Sequence, residues 1–175
     1  MTQGILLGNL CSLGAMISDS VSGTRKKHSE IMAIQIISQL FYGASAFFLK
    51  GYSAMAQNIV AIFRNLAAMK ESKSKIIEYM LILAGVVLGA VINNRGLIGW
   101  LPILANFEYS VAVFRFKDNE RALKYAFTAS SFMFAVFSFV ILNYVGVVTN
   151  SIVAVTTAVS LIKEHIDNRR EKQEE

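Results

Sequence analysis

Residues Tyr52 to Ala61 read Tyr-Ser-Ala-Met-Ala-Gln-Asn-Ile-Val-Ala, an apolar run interrupted by one amide pair, Gln57-Asn58. A second stretch, Tyr144 to Val153, repeats the outline as Tyr-Val-Gly-Val-Val-Thr-Asn-Ser-Ile-Val. Tyr52 and Tyr144 stand 92 positions apart, and so do Asn58 and Asn150. A polar side chain in an apolar helix costs free energy unless something compensates it. Two amides at the same place in two similar segments therefore read as one site built twice.

The 175-residue chain is 54% hydrophobic and only 17% charged, and its mean hydropathy is +0.49. A soluble domain carries about 25% charged residues. Long apolar runs alternate with tight clusters of Lys and Arg, which is the layout of a polytopic membrane protein. Seven segments approach the ~20 residues that a membrane span needs: 4–21, 31–49, 51–69, 76–92, 97–114, 123–142 and 143–162. The first is the weakest, because it includes Asn9, Ser12, Ser18 and Asp19. The start lacks a basic segment ahead of its apolar run, so it is read as a span rather than a cleaved signal. Lys50-Gly51 and Leu142-Asn143 are expected to form tight turns, Gly51 supplying the conformational freedom in the first. The mixed-charge tail from Lys163 is expected to continue helix seven briefly and then fray.

Allotting each Lys and Arg to one side gives a strong asymmetry. Arg25, Lys26, Lys27, Arg64, Lys70, Lys73, Lys75, Arg115, Lys117, Arg121, Lys124, Lys163, Arg169, Arg170 and Lys172 fall together, 15 of the 17. Only Lys50 and Arg95 fall on the other side. The positive-inside rule then places the amino terminus outside and the carboxyl terminus in the cytoplasm. The net charge of +5 is read as orientation and headgroup contact, not as nucleic-acid binding. A single cysteine, Cys11, excludes an intramolecular disulfide.

Laying residues 4–69 over 96–161 pairs Gly4 with Gly96, Ser18 with Ser110, Val21 with Val113, Ser38 with Ser130 and Phe47 with Phe139, besides the Tyr and Asn pairs. Arg25/Lys117 and Tyr42/Phe134 are conservative matches. The implied division is a first three-helix repeat over 1–69, a linker helix over 70–95, a second repeat over 96–162 and a charged cytoplasmic tail over 163–175. Four crossings separate equivalent points, so the repeats are parallel, and a solute site is expected at their interface. The fold class is thus all-α, with seven transmembrane helices in a 3+1+3 parallel repeat.

This plan, with its outside amino terminus and an Asn in the third and seventh spans, resembles the SWEET and PQ-loop transporter group. In that group an aromatic residue precedes the Asn by about one helix and helps to cradle the solute. Tyr42 precedes Asn58 by sixteen positions, and Phe134 precedes Asn150 by the same sixteen. The helical rise brings Tyr42 and Asn58 to a similar depth. More closely, the length and the amino-terminal third resemble the YgjV-type bacterial inner-membrane family, which implies residence in the inner membrane. There are departures from the superfamily. Paired prolines are absent, since Pro102 stands alone and Leu10 occupies its matching place, and Pro102 is followed by Ile103 rather than Gln.

The candidate solute site is therefore Asn58 and Asn150, with Tyr42 and Phe134 as walls and Gln57, Thr149, Ser38 and Ser130 in support. The alternative for each Asn is a bond to a neighbouring helix. Arg64 and Glu108, at similar depth in spans three and five, are candidates for a gate or an ion pair; the alternative for Arg64 is to snorkel to the headgroups. The Arg25-Lys26-Lys27-His28 cluster reads as an anchor. No spacing indicates catalysis and no phosphate loop occurs, so neither an enzyme nor a cofactor is expected. An oligomer is left open, with nothing in the sequence to support it. The expected function is facilitated passage of a small polar solute, sugar-like or vitamin-like; the alternative is a non-transporting membrane partner or assembly protein that keeps the fold.

Overall fold

The computed structural model describes residues 2–22, 25, 27–69, 74–116 and 119–174. Among them are seven α-helices: α1 (Gln3–Ser22), α2 (His28–Phe48), α3 (Tyr52–Met69), α4 (Lys75–Val91), α5 (Trp100–Arg115), α6 (Glu120–Val140) and α7 (Tyr144–Glu174). They fall within a few residues of the seven expected segments. Four of them supply stretches long and apolar enough to cross a membrane: Gln3–Ser22, Ser29–Phe48, Arg121–Val140 and Tyr144–Lys163. The other three fall short for identifiable reasons. The helical stretches of α4 and α5 have 17 and 16 residues, while α3 carries Gln57, Asn58, Arg64 and Asn65. Lys26, Lys70, Lys73 and Lys117 lie outside the described residues, as do the side chains of His28, His165, Arg169, Arg170 and Lys172.

Two ends of helices differ from expectation. Helix α7 runs on to Glu174 instead of stopping soon after Lys163. The expected start of the fifth span is a 3₁₀ turn, Gly96–Gly99, and α5 begins only at Trp100. Pro102 is thereby in the first turn of α5, where a backbone N–H has no intrahelical partner and its absence costs nothing. It starts that helix and does not bend its middle.

The distribution of side chains is that of a protein in lipid. Leu83, Val91 and Phe139 are 64%, 76% and 70% exposed, whereas Ser12, Ser38 and Ser53 are 0% exposed. Large apolar residues face outward and small or polar ones inward, since lipid cannot satisfy a hydrogen bond. Small residues permit close helix packing. Ser12 and Ser45 share a hydrogen bond of 2.8 Å between α1 and α2, and the Leu49 side chain fills the space left by Gly8.

Helix α1 packs on α2 and α2 on α3; likewise α5 packs on α6 and α6 on α7, while α4 rests on α3 and α5. The contacts α3·α5 and α1·α7 join the two groups. The α2–α3 and α6–α7 corners match bond for bond. Lys50 and Leu142 both take positive φ, 56° and 62°. The N–H of Gly51 bonds Ala46 O at 2.7 Å, and that of Asn143 bonds Ser138 O at 2.9 Å. Each corner is also clamped by an asparagine from elsewhere. Asn94 donates to Lys50 O at 2.9 Å and accepts from Tyr52 N at 3.4 Å. Asn9 donates to Leu142 O at 3.0 Å and accepts from Val145 N at 3.1 Å. The polar residue that weakened the first span is therefore the clamp on the last one. Arg95 adds bonds to Leu49 O and Lys50 O. At this corner end Leu49, Ala46, Ala54, Phe137 and Ile141 form a buried apolar cluster.

A second tie holds α4 in place. Gln57 Nε2 donates to Gly85 O at 2.8 Å, and Asn106 Nδ2 donates to Gln57 Oε1 at 2.7 Å. Arg64 then donates to Asn106 Oδ1 at 3.2 Å and to Ser110 Oγ at 3.4 Å. A methyl group at Gly89 would lie 2.5 Å from Gln57 Nε2 and 2.7 Å from Ile103 Cγ1, so only glycine lets α4 approach this closely.

Two variants test these ties by unfolding in detergent. Gln57→Leu removes the second bond to the Gly85 carbonyl and leaves the Asn106 amide without its Gln57 acceptor, and is expected to destabilise by about 1–3 kcal/mol. Asn9→Ala removes two corner bonds nearer the surface and is expected to cost about 1 kcal/mol. Equal or smaller loss in Gln57→Leu contradicts this ranking.

Candidate functional site

At 1.5 Å of rise per residue, a position six residues from a helix end lies about 9 Å deep. Tyr42 is six residues before the end of α2, and Asn58 six after the start of α3. Phe134 and Asn150 repeat this in α6 and α7. Asn106 lies six residues into α5, so five side chains from five helices converge at one level.

Between them lies a cavity of about 260 Å³. Its wall contains seven of the eight expected solute residues: Asn58, Asn150, Tyr42, Phe134, Gln57, Thr149 and Ser130. Ser38 is the exception. It is fully buried behind the wall and donates to Gln35 O at 3.0 Å. Its counterpart Ser130 makes the matching bond to Phe127 O at 3.1 Å but reaches the cavity surface.

The two asparagines are held alike. Asn58 Nδ2 donates to Ala54 O at 2.9 Å, and Asn150 Nδ2 to Gly146 O at 2.8 Å. Each bond is to the carbonyl four residues back in its own helix, and among the described residues neither amide reaches a neighbouring helix. One of the two N–H groups of each amide is thus occupied, and the other N–H and Oδ1 remain for another group. Gln57 differs, because its amide is used on both sides by Asn106 and Gly85. It forms part of the cavity wall chiefly as a fixed strut. Thr149 is likewise satisfied by Val145 O at 2.9 Å.

Arg64 faces the cavity, with its guanidinium carbon 5.9 Å from the centre of the Tyr109 ring. The structure does not bring it to Glu108. Arg64 bonds Asn106 and Ser110, which lie on one face of α5 at a spacing of four. Glu108, two positions from Asn106, is turned about 200° around the helix from it. Its Oε2 is buried with no hydrogen-bond partner. The Arg64 side chain bonds α5 within the bundle, which accounts for its place without snorkelling.

Sequence reasoning missed Asp19, Asn106 and Tyr109, all of which line the cavity. Asp19 stands within hydrogen-bonding reach of the Ser38 and Tyr42 hydroxyls. Its signal was present as a lone carboxylate in an apolar run, but it was read only as a weakness of the first span. Asn106 and Tyr109 had a signal too, a polar pair three apart in an apolar helix, sharing a face. No group of three or more His, Cys, Asp or Glu side chains among the described residues is arranged to hold a metal ion. The arrangement is suited to holding a small solute: flat aromatic walls, fixed acceptors and two charged groups line a partly open cavity.

Comparison with known proteins agrees with this inward polar, outward apolar architecture. No curated protein and no solved structure gave a significant match. A family model described as a bacterial inner membrane protein matches residues 6–167, nearly the whole chain, and the chain belongs to that family, Imp-YgjV.

Proposed function

We propose that this protein is a facilitator for a small polar solute, which it holds between α1–α3 and α5–α7 and passes across the inner membrane. In this reading all seven helices cross the bilayer, with the amino terminus outside and the carboxyl terminus in the cytoplasm. The two three-helix groups are parallel repeats joined by α4, as the resemblance to the SWEET and PQ-loop group implies. The matching corners support the repeat, because bonds 92 positions apart correspond in donor, acceptor and backbone conformation. Short helices α4 and α5 remain compatible with crossing, since a span of about 17 residues is at the lower bound and the 3₁₀ turn lengthens α5.

The observation that carries the proposal is the cavity itself. Asn58 and Asn150, with Tyr42 and Phe134, line this one cavity, which supports the reading. A pair of asparagines needed only for packing would bond across helices, whereas these two bond within their own. The apolar cluster of Leu49, Phe137 and Ile141 closes the corner end. Passage requires α6 to shift against Gly51, beside which the Phe137 ring packs. A second reading is a non-transporting membrane partner, favoured by the position of Pro102 in a first turn, where it supplies no mid-helix hinge.

Two experiments test the proposal. Proteoliposomes are assayed for uptake of labelled sugars, nucleosides and amino acids. Asn58→Ala and Asn150→Ala are expected to keep the fold and to reduce uptake about tenfold each, the equivalent of one hydrogen bond of ~1.4 kcal/mol. Folded protein that moves none of these solutes overturns the transport reading. For orientation, Leu97→Cys and Lys163→Cys are compared in a Cys11→Ser background. An impermeant maleimide is expected to label position 97 from outside the inner membrane, and position 163 only after that membrane is opened. The reverse pattern overturns the orientation.

A further inference from the structure

Two charged side chains line the cavity among the described residues, Asp19 from α1 and Arg64 from α3. They have opposite sign, yet they do not pair with each other. The ion pair found among the described residues is Lys27–Glu30, at 3.7 Å on the surface. Asp19 faces neutral hydroxyls, those of Ser38 and Tyr42. Arg64 donates to the neutral oxygens of Asn106 and Ser110 and lies near the face of Tyr109. An ionised group at membrane depth is costly unless it is paired or wet. Here both charged side chains have neutral partners and line the same cavity.

Their levels correspond. Asp19 stands beside Ser38, ten residues before the end of α2, and Arg64 is twelve residues after the start of α3, or about 15 and 18 Å from the corner end of the bundle. One cavity is therefore lined by an anionic and a cationic side chain at similar depth that do not form an ion pair. Direct pairing would neutralise both and leave nothing for a ligand. A gap between them suits a molecule that brings its own opposite charges.

We propose that the solute is a small zwitterion, whose acidic group docks at Arg64 and whose ammonium group docks at Asp19. The inference rests on the solute-site reading above and narrows it from polar solutes in general to those bearing both charges. Guanidinium–carboxylate and ammonium–carboxylate contacts are charge-assisted hydrogen bonds, among the stronger ones in proteins. A solute with only one charge leaves the other wall group unmatched, and a neutral solute leaves both. The aromatic rings of Tyr42, Phe134 and Tyr109 would cover the apolar stem between the charged groups.

The test is equilibrium binding to the full chain in lipid nanodiscs, measured separately from flux. The probes are glycine, β-alanine, γ-aminobutyrate and 5-aminovalerate, which lengthen the charge separation stepwise, with butyrate, butylamine and glucose as single-charge and neutral controls. One of the zwitterions is expected to bind at least about tenfold more tightly than butyrate or butylamine, since each control lacks one charged bond. Arg64→Gln is expected to shift the preference toward butylamine, and Asp19→Asn toward butyrate. Arg64→Lys and Asp19→Glu keep the charges and are expected to keep the preference for a zwitterion. A purely structural role would weaken all probes alike and would not exchange the preference. Uniform loss in the Gln and Asn variants, or butyrate binding as tightly as the zwitterions, overturns the inference. Zwitterion binding without flux would uphold the site while removing the transport reading. Glucose flux indifferent to both variants would do the reverse.

Discussion

The hydrogen-bonded chain from Arg64 through Asn106 and Gln57 to Gly85 is the interaction on which the rest of the bundle depends. It joins α3, α4 and α5 with neutral amides, and its last link requires glycine at 89 so that α4 can approach. Helix α4 is otherwise an apolar rod with much of its surface turned outward. Lipid offers such a helix no hydrophobic reason to prefer protein over acyl chains. A buried amide that must find a carbonyl supplies the missing specificity. The same chain orients Arg64 beside the cavity, so the bond that positions a helix also positions a charge.

The corners show the same economy of polar groups. Helices leave carbonyls unsatisfied at their ends, and in lipid these must be met by protein or by the interface. Asn94 and Arg95 meet those of α2, and Asn9 reaches from α1 to meet those of α6. The α6–α7 corner is consequently fastened by the first helix of the chain. That cross-connection closes the bundle around its cavity, because α1 contacts α7 just as α3 contacts α5. Phe137, fully buried below Gly51, fills the space inside this ring at the corner end.

Helix positions were legible because hydrophobic runs and their interruptions are local properties. The spacing of 92 could also be read from the sequence, and the α2–α3 and α6–α7 corners show matching backbone bonds at that spacing. Four spans qualify among the described residues, since α4 and α5 are short and the polar side chains of α3 that build the interior also lower its apolarity. Partners of polar residues were less legible, as they depend on which face each helix turns inward. Gln57 and Asn58 are neighbours in sequence, but one is consumed by two other helices while the other bonds only its own. Arg64 and Glu108 share a depth but not a face, so depth alone did not pair them. Asp19 and Asn9 looked like defects in one weak span; one proved to line the cavity and the other to clamp a distant corner.

These two residues clarify what a polar group inside an apolar chain accomplishes. Where its partner is backbone, as with Asn9, it contributes stability and can be exchanged only at the cost of an unsatisfied carbonyl. Where its partners are neutral and its charge remains directed at a space, as with Asp19 and Arg64, the structure holds a cost that folding has not offset. A fold selected for stability alone would place a neutral or apolar side chain at these positions, because removing a buried charge together with its counterpart is often neutral or favourable. Retaining both charges without pairing them makes sense when something else completes them. In the proposed reading, a ligand of matching charge supplies what the two side chains lack, and their neutral partners serve to orient them toward it.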